Sequence, residues 1–314
     1  MKTKVVIIGT GNIGRRHMQA LNNIHEKVEI IGYDISSSCL DAAKTFCVEN
    51  SFKVKFDTAD SIEKALGSID KDSIVIIATI AKGRVDILKK VIEKHPLAVI
   101  AEKPLCQSEK EYNEALEYSK KNNVPVYINF SRHTMSFYKK IAHEMKGMKE
   151  KTFSCIFPDG MACIGIHILD LMTFILGAET FKMLSSSSGG ICDTKRPGCH
   201  DFYGDMSLEI NGSHKVYLKA AQEKCIFSVR ISSEEKEYTV YEFAKKLIIC
   251  GADNNIEVQD IEVPYISQIS DKVVSDLIDK KGKCDLPPIE DARLAHMILF
   301  RYMDDNGLGS ANIT

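Results

Sequence analysis

The stretch Val5-Val6-Ile7-Ile8-Gly9-Thr10-Gly11-Asn12-Ile13-Gly14 decides the fold. Residues 5–8 are an unbroken β-branched run, as in a strand buried on both faces of a parallel sheet. Glycines follow at the spacing G-x-G-x-x-G. Beyond them Ala20, Leu21 and Ile24 follow Ile13 by seven, eight and eleven positions, which is one face of a helix spanning 12–24. A glycine fingerprint between a buried strand and an amphipathic helix is the phosphate-binding turn of a dinucleotide site. Gly9 permits the tight turn, Gly11 lets a pyrophosphate reach the backbone, and Gly14 lets helix and strand pack closely. Asn12 and Ile13 open the helix, whose free N–H groups and partial positive charge suit a diphosphate.

Outward from this turn, strand and helix signals alternate. Strands are expected at 28–33, 74–78, 97–101 and 126–129, and helices at 37–50, 85–93 and 109–122, the first of them capped by serines. Such alternation implies an α/β, doubly wound parallel sheet. The pattern changes near residue 130. A helix at 136–145 and a strand at 151–157 precede an apolar helix at 164–176 that Gly177 ends. Residues 202–263 then read as an antiparallel meander with one wet face, and helices at 267–280 and 289–303 close the chain. The expected division is a Rossmann dinucleotide-binding domain over 1–129 and an α+β substrate and oligomerisation domain over 130–314, with a largely antiparallel open sheet. Residues 185–200, which contain Ser-Ser-Ser-Ser-Gly-Gly, read as a long irregular loop.

The second expected strand ends in Asp34, 20 residues past Gly14. A carboxylate there accepts hydrogen bonds from a ribose diol and repels a 2′-phosphate. The following Ile35-Ser36-Ser37-Ser38 offers no Arg to hold such a phosphate, so the expected cofactor is NAD rather than NADP.

Composition excludes other classes. Lys+Arg 41 against Asp+Glu 43 gives a net charge of −2, a near-balance that argues against phosphate-backbone binding as the main role, since that needs a basic face. No apolar run approaches the ~18 residues of a membrane span, nor does the first run make a signal-peptide core, so a cytoplasmic protein is expected. Its ten cysteines would then be reduced thiols filling core and loop positions. Cys192, Cys199 and His200 lack the close pairing of a zinc site, and no metal is expected.

Ala101-Glu102-Lys103-Pro104 stands at the end of the strand expected at 97–101. With the fingerprint and the C-terminal antiparallel sheet, it makes nearly the whole chain resemble the Gfo/Idh/MocA oxidoreductases. That family typically comprises NAD(P)-dependent dehydrogenases of sugars, nucleotide sugars or inositols. The resemblance implies that Lys103 reaches the substrate hydroxyl and the nicotinamide region, with Glu102 near the nicotinamide ribose. The family's Ala-Thr-Pro loop, with a histidine four residues past the proline, is here Ala78-Thr79-Ile80 and then Arg84; Thr79 and Ile80 should still line the cofactor. Its D-x-G-x-H-x-x-D signature reads Cys163-Ile164-Gly165-Ile166-His167-Ile168-Leu169-Asp170, so Cys163 stands in place of the first aspartate. The segment from Asn129 to Cys163 is short for the family. The exposed face of the family's open sheet often packs on another subunit, which implies a homodimer or homotetramer.

For alcohol oxidation His167 is the candidate base, because imidazole titrates near neutral pH, and Lys103 the group that stabilises alkoxide charge. Asp170, three residues on, is placed to orient the imidazole or to face the cofactor domain. Arg132 and His133 could hold an anionic substrate group, and Tyr203 and His200 could reach substrate from the expected loop. No acyl-transfer signature accompanies Cys163 as a nucleophile. The leading expectation is an NAD-dependent sugar or nucleotide-sugar dehydrogenase. A catalytically silent nucleotide-binding regulator is the rival, motivated by Cys163, and a carbonyl or imine reductase using Lys103 alone is a third.

Overall fold

The computed structural model describes residues 2–313. They form two compact units, one reaching to Ser131 and including Pro264–Asp291, the other comprising Arg132–Val263 and the chain from Ala292 onward.

In the first unit the chain runs β1 (Thr3–Ile8), α1 (Asn12–Leu21), β2 (Val28–Tyr33), α2 (Ser37–Glu49), β3 (Lys55–Thr58), α3 (Ile62–Gly67), β4 (Ile74–Ile77), α4 (Arg84–Ile92), β5 (Ala98–Ala101), α5 (Glu109–Asn122) and β6 (Val126–Ile128). The six strands form one parallel sheet in the order β3-β2-β1-β4-β5-β6. The order reverses between β1 and β4, which is where doubly wound sheets bind nucleotides. All of β4 and β5 is buried, as helices on both faces require. α5 shows why local sequence can set bounds. Ser108 caps the Glu111 amide, Glu109 and Glu111 occupy the first turn, Lys120 and Lys121 the last, and Asn123 turns left-handed to end it. α2 differs from expectation: Ser36 is at its N-cap but makes no side-chain cap bond, because its hydroxyl meets that of Ser38 at 2.7 Å.

In the second unit come α6 (Ser136–Met145), β7 (Thr152–Pro158), a π turn (Met161–Gly165), α7 (Ile166–Leu176), β8 (Phe181–Asp193), β9 (His200–Ile210), β10 (His214–Ala221), β11 (Ser228–Ser232), β12 (Lys236–Tyr241), β13 (Lys246–Gly251) and β14 (Ile256–Asp260). The chain then returns to the first unit with α8 (Ser270–Asp279) and to the second with α9 (Arg293–Asp305). The eight strands lie in the order β14-β13-β12-β11-β7-β10-β9-β8. One face is core: Phe153, Leu208, Val216, Leu218, Val229 and Val240 are buried, while Lys215, Tyr217 and Lys219 alternate with them outward.

Three expectations are corrected. The meander is interrupted, because β7 lies between β10 and β11 and pairs with β10 in parallel. The loop expected at 185–200 is mostly strand: β8 runs to Asp193 as the sheet edge and pairs with β9 through two register shifts, so only 194–199 connects them. The Ser-Gly run can pair there because an edge strand with an exposed face needs little apolar content, and Gly190 (φ +128°) and Gly204 (φ +146°) accommodate the irregularities. Third, residues 264–291 belong to the first unit, not the second. Ile269, Val273, Val274, Leu277 and Leu286 bury themselves in the core of Val5, Ile7, Leu21 and Val28. Beyond α8, Ile128 N donates to Pro287 O at 3.0 Å and Ile289 N to Val126 O at 2.8 Å, closing the edge of β6.

Among the described residues no helix is long and apolar enough to cross a membrane. The ten cysteines are unbridged.

Candidate active site

The glycine turn is built by close approach. Gly9 sits at φ +97°, and a Cβ on it would lie 2.8 Å from the Ala78 carbonyl carbon and from Thr79 N. On Gly14 a Cβ would lie 2.1 Å from Gly9 O. Gly11 is the opposite case, with no atom within 4 Å of its Cβ position. Two glycines thus close the turn on itself and on the loop after β4, while the third leaves an open cradle at the start of α1. That is the space a diphosphate needs, so the turn fits a dinucleotide.

Asp34 is locked beside the cradle. Its Oδ2 accepts from Thr10 N at 2.8 Å and its Oδ1 from Ser36 N at 3.0 Å. Each oxygen keeps lone-pair capacity for a further donor such as a ribose hydroxyl. Ile35 and Ile80 are exposed, Thr79 half-buried.

Glu102 and Lys103 follow β5. Lys103 is half-buried, and the Lys103–Pro104 peptide bond is cis. Glu102 is buried: Asn129 Nδ2 donates to its Oε1 at 2.6 Å, and His17 Nε2 stands 3.1 Å from the same oxygen. His17 Nδ1 reaches Ser270 Oγ at 2.7 Å. Burial pushes the Glu102 carboxyl up, but the bonds from His17 and Asn129 and the nearby charges outweigh it and bring its pKa down to about 2. The carboxylate therefore ties α1, β6 and α8 together inside the unit. Reasoning from sequence had placed it near a ribose and had missed His17, Asn129 and Ser270.

Arg84, the first residue of α4, is 1% exposed. Its guanidinium donates to the carbonyls of Thr79, Glu102 and Pro104.

In the second unit the π turn leads into α7. Along residues 161–170 Cys163, Ile164 and His167 are half-buried and the rest are buried. The turn rests on Asp201 at the start of β9, which is 4% exposed. Asp201 Oδ1 accepts from Ala162 N at 2.8 Å, and Oδ2 from Cys163 N at 3.1 Å. Gly160 is needed for that approach, since a Cβ there would lie 2.1 Å from Asp201 Cγ. So although Cys163 lacks a carboxylate, one reaches its backbone from another strand. Asp201 was missed; the only local signal was an acid at a strand start.

His167, Asp170 and Phe174 lie three and four residues apart, on one stripe of α7. His133 lies against this stripe. Its ring stacks on Phe174 at 4.2 Å, and its Nε2 is 2.9 Å from Asp170 Oδ2.

The two residues expected to hold an anion already face carboxylates. His133 faces Asp170, and Arg132 is held by Glu242 through Nε at 2.7 Å and Nη2 at 2.8 Å. Tyr138 also donates to Glu242, at 2.8 Å. Burial opposes the Arg132 charge, but Glu242 more than compensates and raises its pKa. A buried cation needs such a partner, so its charge is already matched. Tyr203 lies within β9, not in a loop, and its phenol is raised by a hydrogen bond with the Cys192 thiol. His200 Nδ1 is 3.2 Å from Asp193 Oδ1. Among the described residues no three His, Cys, Asp or Glu side chains gather in a metal-holding group.

Residues 3–130 match the oxidoreductase family with an NAD-binding Rossmann fold, Gfo/Idh/MocA. The chain belongs to the Gfo/Idh/MocA oxidoreductase family. The chain is 30% identical over 221 residues to the uncharacterized oxidoreductase YrbE of Bacillus subtilis (strain 168), a match that spans 68% of this chain and 56% of that protein. Solved structures share the fold across both units. A UDP-N-acetylglucosamine 3-dehydrogenase from Acidithiobacillus ferrooxidans matches with TM-score 0.75 at 15% identity, over 99% of this chain and 100% of that one. An oxidoreductase from Agrobacterium radiobacter, in complex with NAD+, L-tartaric acid and magnesium, matches with TM-score 0.76 at 14% identity, over 98% and 97%. Biliverdin reductase from Synechocystis, in complex with biliverdin and NADP+, matches with TM-score 0.73 at 11% identity, over 97% and 99%. At these identities the likeness establishes the fold. The fold serves different substrates and both cofactors, so substrate and cofactor choice rest on this chain's own residues.

Proposed function

We propose that this Gfo/Idh/MocA oxidoreductase is an NAD-dependent dehydrogenase, acting on a secondary hydroxyl, or the corresponding carbonyl, of a sugar, nucleotide sugar or related polyol. The observation that carries the reading is the open cradle at Gly11 beside the locked carboxylate of Asp34. Gly9, Gly11, Asn12, Ile13 and Gly14 would hold the diphosphate, Asp34 the adenosine ribose, and Thr79 and Ile80 the wall of the site. Asp34 favours NAD over NADP through repulsion of a 2′-phosphate. When bound, the nicotinamide supplies the hydride acceptor or donor.

The chain's own groups handle the proton. Lys103 donates a hydrogen bond to the substrate oxygen and stabilises negative charge there. His167, a half-buried imidazole at the second position of α7, takes or returns the hydroxyl proton. The reading includes a cytoplasmic location and self-association through the outer face of the eight-stranded sheet. That face is a concavity of about 750 Å³ lined by residues including Ile156, Tyr217, Lys219, Glu237, Thr239 and Tyr241.

The chain has no Trp, so NADH emission is free of indole background. Fluorescence titration with NADH and NADPH, followed by a turnover screen over sugars, UDP-sugars and inositols, tests the proposal. NADH should bind at least tenfold tighter than NADPH and one substrate class should turn over. Tight NADH binding with no turnover of any compound would favour the regulator instead.

A further inference from the structure

We infer that Arg84 is the positioning residue for Lys103, an inference that rests on the reading above of Lys103 as the group that meets substrate. The guanidinium is buried at the first residue of α4 and donates to three main-chain carbonyls. Two of them, Glu102 O and Pro104 O, belong to the residues on either side of Lys103. The third, Thr79 O, belongs to the loop after β4, next to exposed Ile80.

The chemistry of the side chain suits this geometry. A guanidinium presents five N–H donors in a planar fork, enough to serve three acceptors from different directions. An imidazole has two nitrogens and cannot. A lysine ammonium has three donors, but they radiate from one point on a flexible stem. Buried carbonyls left without a donor are costly, so these three bonds define where the two loops stand. With the peptide group before Lys103 held, and the one after Pro104 held as well, the direction in which the Lys103 side chain leaves the backbone is confined from both sides. The bond to Thr79 O couples that direction to the loop facing the glycine turn, whose closest approach is Gly9 against Thr79 N. Ile80, unlike a proline, does not fix its own φ, so that loop draws its order from Arg84.

The test follows Lys103 directly. The intact chain is reductively methylated with 13C-formaldehyde, and the Lys103 signal is the one lost in Lys103→Arg. In the wild type this signal should be resolved from the surface lysines and should shift when NAD is added. In Arg84→Lys and Arg84→Gln it should broaden or collapse onto the surface-lysine position and lose most of the NAD shift. Turnover of a responding substrate should fall at least tenfold, with KM for NAD within threefold. A Lys103 signal with unchanged position, width and NAD response in a folded Arg84 variant would overturn the inference. If neither variant folds, 15N relaxation of the wild type decides: Glu102 and Lys103 amides as rigid as those of β5 support it, and fast local motion there overturns it. The methyl signal needs no substrate, so a wild type that turns over nothing would remove the dehydrogenase reading while leaving the Arg84–Lys103 coupling decided.

Discussion

Asp170 Oδ2 and His133 Nε2 face each other at 2.9 Å, with the carboxylate 1% and the imidazole 13% exposed. The pair joins α7 to the turn that precedes α6, and Phe174 covers the ring. Burying a carboxyl group without such a partner is costly. His167 is on the same helix, three residues earlier, so the pair braces the segment that presents it.

Asp170→Asn and His133→Ala should each destabilise the protein by about 1–3 kcal/mol, the range for a buried polar group that loses its partner. In chemical denaturation the double variant should lose at least 0.5 kcal/mol less than the sum of the two, the signature of direct contact. Strict additivity would show that the two side chains do not interact.

Glu102 makes stability depend on acid. Its folded pKa, about 2, lies below the unfolded reference of 4.5. The resulting stability is therefore present above about pH 4.5 and is lost as pH falls from there toward 2. A shift of that size corresponds to about 3 kcal/mol. Urea unfolding at pH 7, 4 and 3 should show a steeper acid loss in the wild type than in Glu102→Gln, whose amide does not titrate. Parallel curves would assign the acid sensitivity to other carboxylates.

The three fingerprint glycines should separate in mutagenesis. Gly14→Ala places a methyl 2.1 Å from Gly9 O, so both thermal stability and NADH affinity should fall sharply. Gly11→Ala meets nothing within 4 Å, and its φ of −60° suits any residue. Its melting temperature should stay near wild type while NADH affinity drops at least tenfold, because the methyl occupies the cradle. Unchanged affinity in Gly11→Ala would place the diphosphate elsewhere.

Asp201→Ala removes the acceptor of the Ala162 and Cys163 amides and should cost about 2–4 kcal/mol by denaturant titration. Gly160→Ala should act in the same direction, since its methyl would meet the Asp201 carboxylate. Both should lower turnover more than NADH affinity, because the turn carries His167 and takes no part in the glycine cradle.

Where a local rule decided structure, sequence was a sufficient guide. α5 and α6 have the bounds expected of them, and the sheet around the fingerprint follows from its buried runs. Elements without such signals went unread. β3 is four residues, Lys-Phe-Asp-Thr, alternately exposed at a sheet edge, and α3 is barely two turns. β8 hides in a serine-glycine run that only its neighbour strand makes legible. In the candidate site, motif residues could be named one by one, but their partners could not. Asp201 lies 38 residues from Cys163, Glu242 lies 110 from Arg132, and Glu102 lies 85 from His17. Pairings at those separations depend on the finished topology, and they give Arg132, His133 and Glu102 partners that no local pattern announces.

The return of residues 264–291 to the first unit bears on how the protein is made. A ribosome delivers β1 to β6 first, and that segment holds every strand of its sheet, yet the apolar side chains of α8 and the residues that seal β6 are still unsynthesised. The second unit's whole sheet must emerge in between. The nascent nucleotide-binding unit therefore waits, with part of its interior open, for about half of the chain's translation time; at 5–20 residues per second that is on the order of ten seconds.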